Sequence, residues 1–237
     1  MRRDFVGSER LASAVVVFVL FGALDARAQV VTKHAYLTSV SGETITVDGR
    51  PQIAVQTIEL PAGQTLDPAR HLSEVAVVVI SGSVMLDGRR LNALDAVYAP
   101  KGEPIDATAV EPAHLLQFEW IDGFEGTGKR VIQARKELTH QESKDVESTI
   151  SPYFDKAHPA LSLTLVEAQQ GAELQHPRHL NSVEHLVVIA GKLRVKSASG
   201  QWTLKAGDYL RLTDESRHHL VAIEPLVALQ VLAPRTK

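Results

Sequence analysis

The feature that most constrains this chain is that its second half repeats its first. Arg70-His71-Leu72 returns as Arg178-His179-Leu180, VVVISG at 77–82 as LVVIAG at 186–191, and VEPAHLLQF at 110–118 as IEPLVALQV at 223–231. The offsets are 179 − 71 = 108, 191 − 82 = 109 and 224 − 111 = 113, so order is kept while spacing grows. Three matches in register mean two copies of one unit. Each copy is a series of short β-branched runs, such as IAVQTIE at 53–59 and LSLTLVE at 161–167, punctuated by Gly, Pro, Asp and Asn. Such runs read as strands, and many short strands per copy read as a sandwich or closed barrel without exposed edges. The fold class is therefore all-β. Jelly-roll, immunoglobulin-like and lipocalin-like arrangements share this periodicity. The larger step in offset falls near SASGQ at 197–201, which reads as the turn of a hairpin. The most helix-prone segment lies within 129–149, where Arg135, Lys136, Glu137 and Lys144 suggest a solvated, partly helical connection.

The N-terminus stands apart from the repeat. Arg2 and Arg3 precede an uncharged apolar run from Leu11 to Leu24, followed by Ala26-Arg27-Ala28. A basic start, a short apolar run and an A-x-A site form the pattern of a secretory signal peptide. The run has 14 residues, against about 20 for a membrane-spanning helix. Cleavage after Ala28 would deliver a periplasmic or secreted chain that no membrane retains. The expected organisation is a signal peptide over 1–28, a first barrel over 29–125, a connection over 126–158 and a second barrel over 159–237. The formal charge of −3 offers nothing to a phosphate backbone, so nucleic acid is not an expected partner. The chain has no cysteine, which excludes disulfides, thiolate ligands and thiol nucleophiles.

Chemistry concentrates in the second copy. His176, His179, Glu184 and His185 lie within ten residues, and His218-His219 follows some thirty later. Imidazole with carboxylate suits Mn, Fe, Ni, Cu or Zn, whereas Ca or Mg would call for oxygen ligands alone. Alternation along a strand sorts the candidates. In VEHLVVIA, Glu184 shares a face with Leu186 and Val188, and His185 faces the other way; His218 and His219 likewise oppose each other.

These residues resemble the motifs of the cupin superfamily, G-(x)5-H-x-H-(x)3,4-E-(x)6-G and G-(x)5-P-x-G-(x)2-H-(x)3-N. Glu184 and Gly191 match E-(x)6-G, His179 lies at an allowed distance before Glu184, and Gly207 and His218 match the second motif. Thr213, Glu215 and Ala222 depart from it, and Pro177 stands where the first histidine belongs, with His176 one place early. The resemblance implies two tandem jelly-roll barrels, with His179, Glu184 and His218 as ligands of one divalent transition metal (Fe, Mn, Ni or Zn). His176 becomes a fourth ligand if the backbone bulges at Pro177; otherwise two histidines and a glutamate leave more positions open. In the first copy Ala69, Val75 and Ile105 replace ligand positions beside His71, so that barrel is expected to lack a metal site.

Similar bicupins include quercetin-dioxygenase-like enzymes, isomerases and lyases. The resemblance implies a metal-dependent enzyme, dioxygenase-like or Lewis-acidic, on a small oxygenated substrate. Glu184 would move a proton, and Arg178 and Arg217 would meet an anionic substrate. The other reading is a non-catalytic periplasmic module that binds or senses a small ligand. A second copy of the chain, as a homodimer, is the candidate protein partner.

Overall fold

The computed structural model describes residues 42–47, 50–66, 73–120, 128–142, 148–154, 162–174, 182–197, 200–213 and 218–234. The strands of the first half are β1 (Gly42–Val47), β2 (Arg50–Leu60), β3 (Glu74–Leu86), β4 (Arg89–Leu91), β5 (Ala96–Ala99) and β6 (Thr108–Trp120). The connection adds β7 (Val131–Gln133), β8 (Gln141–Glu142) and β9 (Ser148–Pro152). The second half continues with β10 (Leu163–Ala168), β11 (Glu173–Leu174), β12 (Ser182–Ala190) and β13 (Lys192–Ser197). It ends with β14 (Gly200–Lys205), β15 (Tyr209–Thr213), β16 (His218–Ala222) and β17 (Leu226–Pro234). One sheet runs β1-β2-β6-β3-β5-β7 with β4 on β3, a second β15-β12-β17-β10-β9-β8, and a third β11-β16-β13-β14. Every pairing among the described strands is antiparallel.

The repeat is visible bond by bond. Gly63 N and Leu66 N donate to Ala109 O and Ala107 O, and Gly171 N donates to Ala222 O. Val79 exchanges bonds with Leu94 and Asp95 as Val188 does with Gly207 and Asp208. Asp95 and Asp208 each accept a backbone N–H from three residues upstream, Asn92 and Lys205. The change of offset also has a location. Leu86 faces Arg89 across a turn of Asp87 (φ 51°) and Gly88 (φ 75°), whereas Val195 faces Trp202 and the ladder runs on to Ser197 opposite Gly200. Two extra residues in each strand of the second hairpin account for the step from 109 to 113.

Alternation divides the apolar residues among three layers. Val75, Val77, Val79, Leu86, Val97 and Ile105 fill the first barrel, and Leu186, Val188, Leu193, Val195, Leu210 and Leu220 fill the second. The opposite faces of the same strands form a third layer. There Val55, Val78, Tyr98 and Phe118 of one half pack with Leu165, Val187, Tyr209 and Leu229 of the other. The two barrels are therefore joined sheet to sheet.

The charged residues Arg135, Lys136 and Glu137 of the connection are exposed, as its charge suggests, but the segment is less helical than expected. Its helical content among the described residues is one 3-10 turn, Arg135–Glu137; β7 joins the first sheet, and β8 and β9 join the second. Asp95 Oδ1 accepts from Arg135 N, and the Glu137 carboxylate accepts from Ala134 N, which pins that turn. Tyr153 and Phe154 at its end enter the shared layer, with the Tyr153 hydroxyl donating to Leu94 O at 2.8 Å.

Candidate functional site

β12 and β16 bring the two motif halves together. Glu184 lies on the face of β12 that carries Leu186 and Val188, and His218 on the face of β16 that carries Leu220 and Ala222, so both point into the second barrel. His218 Nε2 is 3.9 Å from Glu184 Oε2, and both side chains are about nine-tenths buried. That separation is too long for a hydrogen bond. It lies within reach of two donors that share an ion, since ligands each about 2.0–2.2 Å from a metal are at most about 4.4 Å apart. The other oxygen, Oε1, accepts from Gln230 Nε2 at 2.7 Å.

The register explains this third member. In the β12–β17 ladder Gln230 stands opposite Leu186 and Leu232 opposite Glu184, so Gln230 is the diagonal neighbour of Glu184 on the inner face. Sequence reasoning passed over Gln230, although a signal was present. It is the one polar residue in LVALQVLA at 226–233, a run apolar on both faces, and a buried amide needs a partner.

Among the described residues no third histidine, aspartate or glutamate joins Glu184 and His218. His176, His179, Arg178 and Arg217 lie outside the described residues, as do Pro177 and His71. The described strands on either side still locate one change. Gly63 and Gly171 occupy matching hydrogen bonds at an offset of 108, and Val79 and Val188 at 109. The second copy thus carries one extra residue between Gly171 and Val188, in the stretch that holds His176 and His179.

His185 and His219 face away from the site, as the alternation predicts. His185 faces the layer between barrels, where its Nδ1 is 2.5 Å from the Tyr209 hydroxyl and the rings stack at 13°. His219 points out to solvent and meets Glu173 Oε1 at 2.7 Å. His114 is half-exposed near Glu59, and His140 Nδ1 meets the buried Ser151 hydroxyl at 2.8 Å.

The first barrel holds Val75 and Ile105 at the places of Glu184 and His218. Val75 stands opposite Ala99 as Glu184 stands opposite Leu212, and both Val75 and Ile105 are packed into the apolar interior. Glu74 is on the other face, buried toward the shared layer near Tyr98. Burial first, and then the Glu74 carboxylate, pushes the Tyr98 phenol up from its ordinary pKa.

No family model and no curated sequence matches the chain. Solved structures do. An oxalate decarboxylase of Lactobacillus farciminis in complex with formate is 16% identical, with TM-score 0.63 over 91% of this chain and 88% of that one. The Bacillus subtilis oxalate decarboxylase whose Mn(II) centres were characterised is 18% identical, with TM-score 0.63 over 91% of this chain and 79% of that one. A candidate glyoxylate-induced protein of Pseudomonas aeruginosa is 13% identical, with TM-score 0.65 over 81% and 78%.

Proposed function

For a chain with the two-barrel cupin fold, we propose a metal-dependent enzyme that acts on a small organic acid or similar oxygenated molecule in the second barrel. One observation carries this reading. Glu184 and His218 converge inside the second barrel, while Val75 and Ile105 hold the matching places in the first. Glu184 and His218, with His179 and His176 from the preceding segment, would hold one divalent ion. When bound, such an ion polarises a substrate oxygen and offsets developing negative charge. Mn is the first metal to test, because the similar Bacillus subtilis decarboxylase has Mn(II) centres. The apolar wall of Leu186, Val188, Leu193 and Leu220 excludes water and strengthens every charge interaction inside it. Glu184 would meet the ion through Oε2, the oxygen directed at His218, and Arg178 and Arg217 are the proposed contacts for an anionic substrate.

We further propose that residues 1–28 direct export and are removed, on the strength of the basic, apolar and A-x-A pattern alone. The mass of the mature protein from an exporting host tests it; retention of 1–28 would end it.

The function is tested by elemental analysis of protein purified without chelator, followed by assays on oxalate, glyoxylate and other small acids. About one ion per chain is expected, lost with turnover in Glu184→Gln and His218→Ala and kept in His71→Ala. Metal retained in the Glu184→Gln, His218→Ala double variant would refute the site. A metal-loaded protein that binds these acids without converting them would favour the binding or sensing reading.

A further inference from the structure

We infer that Gln230 is a positioning residue that restricts Glu184 to a one-oxygen contact with the metal; this rests on the metal site proposed above. Gln230 and Glu184 are both buried, 8% and 6% exposed, and their 2.7 Å hydrogen bond occupies Oε1. The amide must present its NH2 to the carboxylate, because its carbonyl would face a second acceptor. Gln230 cannot easily turn away, since its strand neighbours Ala228 and Leu229 and its cross-strand partner Leu186 are fully packed. The second oxygen, Oε2, is the one directed at His218.

The chemical consequence concerns open positions. A carboxylate with both oxygens available can chelate an ion and fill two coordination positions. With Oε1 held by Gln230, Glu184 fills one and leaves another for a substrate oxygen. Hydrogen-bonded partners of ligating carboxylates commonly change metal affinity by 10–100-fold when removed. The first barrel contains its own control. Gln117 stands opposite Val77 as Gln230 stands opposite Leu186, yet Val75 offers it no carboxylate.

The test uses the full chain stripped of metal and titrated with Co(II), whose visible absorption reports coordination. Gln230→Leu and Gln230→Met each remove the donor with different packing. Both are expected to change Co(II) affinity about 10–100-fold and to alter the absorption band as the second carboxylate oxygen is freed, while Gln117→Leu stays within about twofold of wild type. Infrared difference spectra of the wild type on Co(II) addition, with Glu184→Gln subtracted, read the carboxylate directly and need no Gln230 variant. A wide separation of the two carboxylate stretches is expected for one-oxygen binding. A narrow, chelate-like separation, or Gln230 variants with wild-type affinity and spectrum, overturns the role of Gln230 and leaves the metal site standing. Absence of Co(II) binding by wild type, or unchanged binding by Glu184→Gln, overturns the metal site itself and this inference with it.

Discussion

Two side chains one residue apart in sequence serve different compartments. Glu184 enters the second barrel, and His185 enters the layer between barrels, where it stacks on Tyr209 and shares a short hydrogen bond with its hydroxyl. The bond between His185 Nδ1 and the Tyr209 hydroxyl gives each of these buried side chains a partner. Tyr209→Phe keeps the ring and its packing but removes the hydroxyl. The expected cost is about 1–3 kcal/mol, read as a lower urea midpoint at unchanged slope. A midpoint equal to wild type would show that the hydroxyl contributes nothing net.

At the scale of elements, two glycines close the matching corners of the two barrels. Gly82 (φ 73°) and Gly191 (φ 80°) have left-handed backbones, and a Cβ on either would collide with the carbonyl oxygen of Pro112 or Pro225. Both the conformation and the crowding demand glycine there. Gly82→Ala and Gly191→Ala should each destabilise by more than about 2 kcal/mol, through strain plus steric displacement. Gly88→Ala, in an open turn with positive φ, should cost only the backbone strain of about 1–2 kcal/mol. Thermal denaturation of the three variants checks the ranking.

The 3-10 turn carries a pH signature. The Ala134 N–H first, and then Arg89, hold the Glu137 carboxyl below its ordinary pKa. A depressed folded-state pKa contributes stability above the unfolded value, near about 4.3, and loses it as pH falls through the folded value. Exposure to solvent keeps the effect below about 1 kcal/mol. Glu137→Gln should therefore melt slightly lower than wild type at pH 7, with the gap closing toward pH 3. A gap that persists at pH 3 would assign the effect to packing instead.

The whole molecule is held by its shared apolar layer. Val55, Tyr98 and Phe118 from the first half and Leu165, Tyr209 and Leu229 from the second are each almost completely buried in it. Separating the barrels would expose all of these at once, so neither is expected to unfold alone. Calorimetry should show one transition with matching calorimetric and van't Hoff enthalpies. Leu229→Ala should lower stability by about 2–5 kcal/mol without splitting that transition. Two resolved transitions in the wild type would mean that the layer does not couple the halves.

What the sequence by itself determined is everything carried by order and alternation. The doubled unit, the hairpin at 197–201, and the opposed directions of Glu184 and His185 and of His218 and His219 follow from a period of two along each strand, which is a local property. Tertiary structure alone decided what each face meets. Around the charged stretch at 129–149, Val131–Gln133 and Ser148–Pro152 are strands because they found open sheet edges beside β5 and β10, partners that no local pattern names. Runs such as VAVVVI at 75–80 are apolar on both faces, but only the packed molecule shows that the second face is covered by the other barrel. The same is true of Gln230, whose partner lies 46 residues away. Long-range pairing is set by the register of β12 on β17, and that register exists only once the barrel has closed.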